Sequence, residues 1–282
     1  MTSSIPKGPE AVMVREYEDA NGVRVRLTIP PPGDFDSSFV MSVHKAGSVM
    51  LNDVVRGLCD ASGMPHLSIH DQLFSQGYPI EKASEDMLSV WKQRGYCFFG
   101  IRRFMPFFST PYFRTDPIKI LLVRDPRDVA TSWYFSARNS HLLPGSGEKR
   151  GPLEQNRARA QSVDIDSFTL RGGADGVLNN MESYRGLLGL PRLVVYRYED
   201  IIFDKLPWIE DIAHVLSLTV PAAILETVRA QVDIFPEREN PDTHIRQVLP
   251  GNYRKHLAPA TVAYIENKYR DLFEAFGYAR SA

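Results

Sequence analysis

The chain has 282 residues, and 33 lysine and arginine residues against 34 aspartate and glutamate residues give a net charge of −1. This balance excludes a protein that binds nucleic acid or an anionic membrane surface through bulk charge, and the length suffices for one large hydrophobic core. The first ten residues lack the apolar core of a signal peptide, and no run approaches the ~20 apolar residues that span a bilayer. We therefore expect a cytoplasmic protein without nucleic-acid or membrane partners, with Cys59 and Cys97 buried and reduced.

The first predicted element is a β-hairpin over residues 12–29. Two alternating segments, 14–17 and 23–27, flank Asn21 and Gly22, a pair typical of tight hairpin turns. Three prolines and a glycine at 30–33 follow and separate the hairpin from the rest. We assign residues 1–35 to an N-terminal hairpin extension and residues 36–282 to a single domain.

The rest of the chain alternates between strand and helix patterns. The predicted strands are 39–43, 96–101, 118–124 and 193–198, and the predicted helices are 47–61, 126–139, 176–188, 206–216, 221–231 and 259–275. This order predicts a three-layer α/β fold, in which helices flank a central parallel sheet and ligands bind at the carboxyl ends of the strands.

Residues 136–175 interrupt that pattern with many charges, five glycines and few apolar anchors. A loop of this length in a compact domain is usually functional or disordered. Two interpretations stay open, a mobile flap over the ligand pocket and a solvated insertion.

The segment 39–51 predicts an anion site. An apolar run stops at Lys45, Ala46, Gly47 and Ser48, and an amphipathic helix opens there. The first backbone N–H groups of a helix are unpaired and carry about half a positive charge, glycine allows a phosphate to approach closely, and lysine adds a full charge. The Walker pattern is absent, because the lysine precedes the glycine. The alternative is a buried strand that enters a helix through a glycine turn.

The segment 118–135 repeats this arrangement. Arg124 ends an apolar strand, Asp125 suits the N-cap of the next helix, Pro126 suits its first position and Asp128 its first turn. Ser132 follows about two turns into that helix. Arg124 either binds a phosphate or pairs with Asp125 or Asp128.

Together these segments resemble the nucleotide-dependent sulfotransferase family, whose donor is 3'-phosphoadenosine 5'-phosphosulfate (PAPS). His44 to Met50 read His-Lys-Ala-Gly-Ser-Val-Met where the family has Pro-Lys-Ser-Gly-Thr-Thr-Trp. Arg124 and Ser132 match the family's R-[DN]-P-[RK]-D-x-x-x-S motif. Tyr198-Glu199-Asp200 match a Tyr-Glu-Asp element after a strand. Arg246 matches the Arg-Lys-Gly loop, in which Gln247 and Val248 replace lysine and glycine here.

The resemblance implies transfer of a sulfuryl group from PAPS to a hydroxyl or amine of a small-molecule or glycan acceptor. The product is adenosine 3',5'-bisphosphate (PAP), and no metal is required. Lys45 would assist at the bridging oxygen. The implied nucleotide contacts are Lys45, Ala46, Gly47, Ser48, Val49 and Met50 at the 5' side, Arg124, Ser132 and Arg246 at the 3'-phosphate, and Tyr198 near the adenine. Tyr198 is alternatively a core tyrosine with its hydroxyl satisfied.

The general base is not fixed by the resemblance, because Phe104 stands where many relatives have histidine. Arg102 and Arg103 cannot act as bases at neutral pH; they either bind an anionic acceptor or face solvent. His70 is the base candidate, with Asp71 beside it, and the alternative is that both are surface loop residues.

Two other functions stay open, a catalytically silent nucleotide-binding module and a P-loop-type phosphotransferase. A homodimer is also open. Thr261, Val262 and Glu266 resemble part of the family's dimer motif, but Leu257 replaces its lysine.

Overall fold

Two β-sheets organise the molecule, which is a computed structural model that describes residues 12–19, 21–240 and 246–281. An antiparallel hairpin is formed by β1 (Met13–Glu18) and β2 (Arg24–Ile29). The second sheet contains β3 (Ser38–Ser42), β4 (His66–Leu67), β5 (Cys97–Ile101), β6 (Ile118–Val123) and β7 (Leu193–Arg197). The predicted α/β fold and N-terminal hairpin are confirmed.

The central sheet has the order β4-β5-β3-β6-β7, and all of its neighbouring strands run parallel. Every residue of β3 and β5 is buried, as expected for a parallel sheet covered on both faces. β3 therefore lies in the middle, with β5 on one side and β6 on the other. The carboxyl ends of parallel strands share one edge, so the residues that follow β3, β5, β6 and β7 lie at that edge.

Helices surround this sheet. They are α1 (Ser48–Ser62), α2 (Ile69–Ser75), α3 (Glu85–Leu88), α4 (Pro111–Thr115), α5 (Pro126–Phe135), α6 (Arg150–Ser162), α7 (Ile165–Leu170), α8 (Asp175–Ser183), α9 (Tyr198–Ile201), α10 (Lys205–Val215), α11 (Ala222–Val232), α12 (Tyr253–His256), α13 (Pro259–Lys268) and α14 (Arg270–Phe276). Single turns of 3-10 helix span Ile80–Lys82, Ser89–Lys92, Pro106–Ser109 and Tyr184–Leu187.

Several boundaries differ from the prediction. β4 and α2 were missed, because two strand residues and seven helical residues are too few to show a period. The helix expected over 259–275 is divided into α13 and α14 at Tyr269, whose φ of −114° and ψ of 31° leave the helical region. α5 ends at Phe135 and continues as one π-turn over Ser136–Ser140.

The N-terminal hairpin is held to the domain by α2. The backbone N–H and C=O of Thr28 bond the side-chain amide of Gln72 at 2.7 and 2.9 Å. Arg26 makes the same pair with Gln76 at 2.9 and 2.8 Å. These two glutamines satisfy backbone groups on the free edge of β2, while Val25, Leu27 and Ile29 on β2 are buried.

Residues 136–175 contain α6 and α7. The segment also docks on the end of α2, where the Lys149 N–H donates to the Gly77 carbonyl at 3.1 Å. Lys82 and Glu148 form an ion pair beside this contact. Whether the segment moves as a flap stays a prediction.

We expect Gly77→Ala to release this contact. A Cβ at position 77, where φ is +68°, would lie 1.9 Å from the Ser146 carbonyl oxygen. The predicted loss is about 1–3 kcal/mol in the free energy of unfolding by urea, with faster proteolysis within residues 141–149. Gly145→Ala is the matched control, because a Cβ there meets no atom within 4 Å. Equal stability and equal cleavage of the two variants would contradict the docking.

Candidate active site

The corner between β3 and α1 is built as an anion site. Lys45 and Gly47 both have left-handed backbone conformations, with φ of 67° and 86°. No side chain caps the N-terminus of α1 and no acidic residue lies in its first turn. A Cβ at Gly47 would lie 3.0 Å from the Tyr198 ring, so glycine is required by space as well as by φ. The corner therefore presents unpaired N–H groups and the positive end of the α1 dipole.

Lys45 is partly buried at this corner. Burial, followed by the positive charges of Arg124 and Arg102, lowers the pKa of its ammonium to about 8. The charged neighbours that shift this pKa are all arginines. Such a group is stabilised by a bound anion, because the anion offsets the repulsion that now opposes protonation.

Arg124 is 5% exposed and follows β6 at the same edge of the sheet. Its guanidinium donates to the Lys45 carbonyl at 3.2 Å and lies 4.4 Å from the centre of the Tyr198 ring. The Asp128 carboxylate is 3.6 Å away, and the buried Nε has no hydrogen-bond partner among the described residues. An unpartnered buried guanidinium N–H is a vacant site for an acceptor such as a phosphate oxygen.

The residues after Arg124 have structural roles. Asp125 caps α5 by accepting from the Arg127 N–H at 2.8 Å, which confirms the predicted N-cap, and it also pairs with the Arg127 guanidinium. Asp128 accepts from the N–H groups of Gly251 at 2.7 Å and Tyr253 at 2.9 Å. Because Asp128 is shared between these donors and Arg124, it neutralises Arg124 only in part. The same carboxylate fixes the C-terminal loop next to Arg124.

A first cavity of about 160 Å³ opens above the ends of β3, β6 and β7. It brings together most of the predicted nucleotide-binding residues, namely Lys45, Gly47, Ser48, Val49, Met50, Arg124, Ser132 and Tyr198. Ala46 is buried in the corner beneath them. Four further apolar residues, Ile202, Val232, Ile234 and Val248, were not predicted as contacts and line the wall together with Val49 and Met50. No motif marks Ile202, Val232 and Ile234; Val232 ends α11, which packs against α1.

Tyr198 lines a cavity and has its hydroxyl satisfied at the same time. Its ring lines the first cavity, and its hydroxyl donates to the Val248 carbonyl at 2.8 Å. This bond holds the loop 246–249 against the cavity.

Arg246 lies close to the first cavity but does not form its wall. Its guanidinium pairs with Glu239, donates to the Asn252 side chain at 2.8 Å and lies 4.3 Å from the centre of the Phe135 ring. Burial, followed by the positive charge of Arg124, lowers the pKa of Arg246 to about 10, so it stays charged at neutral pH. Its neighbours in the loop, Gln247 and Val248, do line the cavity.

A second cavity of about 280 Å³ lies on the other side of β3, above the ends of β4 and β5. Lys45, Ser48 and Val49 line both cavities. The remaining wall consists of His44, His70, Asp71, Phe74, Tyr78, Ile80, Arg102, Arg103, Trp133, His141, Leu142, Lys149 and Leu153. The corner with Lys45 is thus the point at which the two cavities meet.

His70 belongs to this second cavity and is a buried helical residue, 7% exposed, rather than part of a surface loop. Its ring stacks on Trp91 at 6.3 Å between centres, and both ring nitrogens lack partners among the described residues. Burial, followed by the positive charges of Arg102 and Lys149, lowers the pKa of His70 to about 3. The ring is therefore neutral at physiological pH.

Phe104 does not reach either cavity wall. Its ring packs edge-on against Phe108 and Tyr184, at 5.4 and 5.6 Å between centres. The position that holds histidine in many relatives is thus part of the aromatic core here.

Residues resembling the family's dimer motif are used within the chain. Thr261 and Glu266 are buried, and Glu266 pairs with Arg127 at 2.6 Å. Cys59 and Cys97 are free and buried, as predicted.

The described residues contain no group of three or more His, Cys, Asp or Glu side chains that could hold a metal ion. Their helices include none with the length and apolar character needed to cross a membrane.

Comparison with known proteins agrees with this geometry. The model of the sulfotransferase domain family matches residues 104–277, which is more than half of the chain. The fold is similar to mouse sulfotransferase SULT7A1 complexed with PAP, with a TM-score of 0.57 and 13% identity over 94% of this chain and 99% of that one. Comparison with curated protein sequences gives no match.

Two other solved structures give lower scores. Retinol dehydratase in complex with androsterone and inactive cofactor PAP has a TM-score of 0.49 and 14% identity, over 93% of this chain and 90% of that one. A sulfotransferase from Alicyclobacillus acidocaldarius has a TM-score of 0.39 and 10% identity, over 86% of this chain and 94% of that one.

The class of protein is therefore an α/β enzyme with a P-loop-like anion corner. More particularly, the chain belongs to the sulfotransferase domain family.

The lowered pKa of Lys45 predicts proton uptake when an anion binds. A bound anion raises this pKa, so binding of PAP at pH 8 should take up as much as about half a proton per site, and less at pH 6.5, where Lys45 is already protonated. Calorimetry in buffers of different ionisation enthalpy measures this number. Lys45→Met should abolish the uptake, and Lys92→Ala, an exposed residue outside both cavities, should leave it unchanged. Uptake that persists in Lys45→Met would assign the proton to another group.

Proposed function

We propose that the protein transfers a sulfuryl group from PAPS to a hydroxyl or amine of a small acceptor. The observation that carries this proposal is the meeting of two cavities at Lys45, Ser48 and Val49. Group transfer between two substrates requires that both reach one point from opposite sides, and the corner after β3 offers such a point.

The first cavity suits the nucleotide. The uncapped N-terminus of α1 fits the 5'-phosphosulfate, with Ala46, Gly47, Ser48, Val49 and Met50 around it. Arg124 and Ser132 fit the 3'-phosphate, which the unpartnered Nε of Arg124 supports. The apolar wall and Tyr198 fit the adenine. Arg246 would bind the 3'-phosphate by giving up its ion pair with Glu239. A phosphate is also negatively charged, and its oxygens suit the planar guanidinium of Arg246.

In this mechanism the sulfur–oxygen bond to the 5'-phosphate breaks as a sulfur–oxygen or sulfur–nitrogen bond to the acceptor forms. The acceptor loses its proton to a base, and PAP leaves with one more negative charge on its 5'-phosphate. Lys45 stabilises that departing oxygen, because its ammonium lies at the corner shared by both cavities. We propose that these steps require no metal ion.

His70 is the base that we propose, since it lines the second cavity, is neutral and has unpartnered ring nitrogens. His44 is the other candidate; it lines the same cavity, and burial and the charges of Arg102 and Arg103 lower its pKa well below the usual value. His70→Ala and His44→Ala separate the two, because only loss of the base slows transfer to an acceptor that must be deprotonated.

We also propose that residues 36–282 act as one domain and that residues 136–175 serve as a flap over the second cavity. Support for the flap comes from the side chains that this segment contributes to the wall, which are His141, Leu142, Lys149 and Leu153. A cytoplasmic location and a homodimer stay predictions.

The donor assignment predicts selectivity for the 3'-phosphate. Calorimetry without added metal should show PAP binding at least about tenfold more tightly than 5'-AMP or ATP, because one charged contact contributes on the order of 1.5–3 kcal/mol. Arg124→Ala should remove this preference. Arg94→Ala is the matched control, since Arg94 is exposed, pairs with Asp36 and precedes β5 at the opposite edge of the sheet.

The outcomes separate the alternatives. Equal weakening of PAP and ATP by Arg124→Ala would refute the 3'-phosphate role. Tight ATP binding that depends on Mg²⁺ would favour a phosphotransferase.

The catalytic assignment predicts that Lys45→Ala loses transfer far more than binding. We expect turnover of PAPS, measured as PAP formed with a set of phenols, alcohols and amines, to fall by about 10²–10³. The affinity for PAP should fall much less, because the α1 N-terminus and Arg124 remain. Tight PAP binding without any consumption of PAPS would instead favour the silent nucleotide-binding module.

A further inference from the structure

We infer that the acceptor carries a carboxylate on a largely apolar body, and that Arg102, Arg103 and Lys149 hold this carboxylate in the second cavity. The inference rests on the proposed function, because it names the class of acceptor for the same site. Arg102 and Arg103 then bind an anion and do not simply face solvent.

Three cations reach the second cavity from two parts of the chain. Arg102 and Arg103 follow the end of β5, and Lys149 comes from the segment that docks on α2. Their side chains are 23%, 40% and 25% exposed, so they are accessible to a ligand yet shielded from bulk water. Charges in such surroundings act on a ligand more strongly than surface charges do.

The carboxylates nearby do not balance these cations. Asp71 pairs with Arg102 at 2.9 Å. Glu81 is shared, at 2.6 Å from Arg103 and 3.9 Å from Lys149. Two carboxylates thus face three cations, and Lys45 adds a fourth positive charge on the side of the donor. An excess of one charge on the acceptor side suits a ligand with one negative charge.

The excess of positive charge also contributes to the lowered pKa values of neighbouring groups. Burial lowers the pKa of Lys149, and the positive charge of Arg103 lowers it further against the opposing effect of Glu81. The charges of Arg102 and Lys149 likewise contribute to the low pKa of His70. A carboxylate at this place would offset that charge and raise the pKa of His70, which would make it a stronger base.

Much of the remaining wall is apolar or aromatic. Phe74, Ile80, Trp133, Leu142 and Leu153 line it, and the volume of about 280 Å³ admits a small molecule. Such a wall binds an apolar body, while the arginine forks fit a planar carboxylate. The charged and apolar parts of this wall therefore fit a small amphipathic acid that also bears a hydroxyl or an amine.

The probe that we choose is 3-(4-hydroxyphenyl)propionate, compared with its uncharged amide. Calorimetry on the full chain saturated with PAP reports binding in the second cavity alone, because PAP fills the first. The carboxylate should bind at least about tenfold more tightly than the amide, as expected for a charged contact that is partly shielded from water. Binding of PAP is measured first on the same preparation, so its failure would count against the proposed function and not against the acceptor class.

Two variants should move this preference in opposite directions. Arg103→Gln should reduce it by about tenfold, while Glu81→Gln should increase it severalfold, because Glu81 competes with the ligand for Arg103 and Lys149. Arg94→Gln is the control and should leave it unchanged. Equal binding of acid and amide, no binding of either, or a Glu81→Gln variant that weakens the acid would each overturn the inference while PAP binding stays intact.

Discussion

The site depends on the crowding of positive charge at the carboxyl edge of the sheet, with β3 in its centre. Lys45 follows that central strand, and arginines follow the strands on both sides. Burial, followed by repulsion from Arg124, lowers the pKa of Lys45 and of Arg246. This arrangement of charges is unfavourable without an anion. A bound anion is therefore expected to stabilise the folded protein.

The strand order also places the two cavities on opposite sides of β3. Because β6 and β7 lie on one side of β3 and β5 and β4 on the other, the residues proposed to bind the phosphates and those proposed to bind the acceptor line separate cavities. Lys45 is shared because it follows the strand between them. A single corner can thus contact both proposed substrates, because it lies between the two cavities.

The motifs that sequence reasoning detected are local. A strand end, a helix start and a charge occur within about ten residues around Lys45 and again around Arg124. The local structure at both places can therefore be predicted from the neighbouring sequence. Ile234 and Val232 carry no such signal; Val232 ends α11, which packs against α1. Arg246 was identified by its motif, but its pairing with Glu239 across a loop depends on tertiary structure. Lys149 lay in a segment without hydrophobic periodicity, so its position in the second cavity was not predictable.

The glutamine contacts of α2 connect the hairpin to the second cavity. One side of α2 pairs with the free edge of β2 through Gln72 and Gln76, and the same helix contributes His70, Asp71 and Phe74 to the second cavity. A change in the hairpin that shifts α2 therefore alters the acceptor wall, whereas Arg124 and Tyr198 on the far side of β3 are not attached to it. A substitution in the N-terminal extension is thus expected to change the second cavity and to leave the first cavity intact.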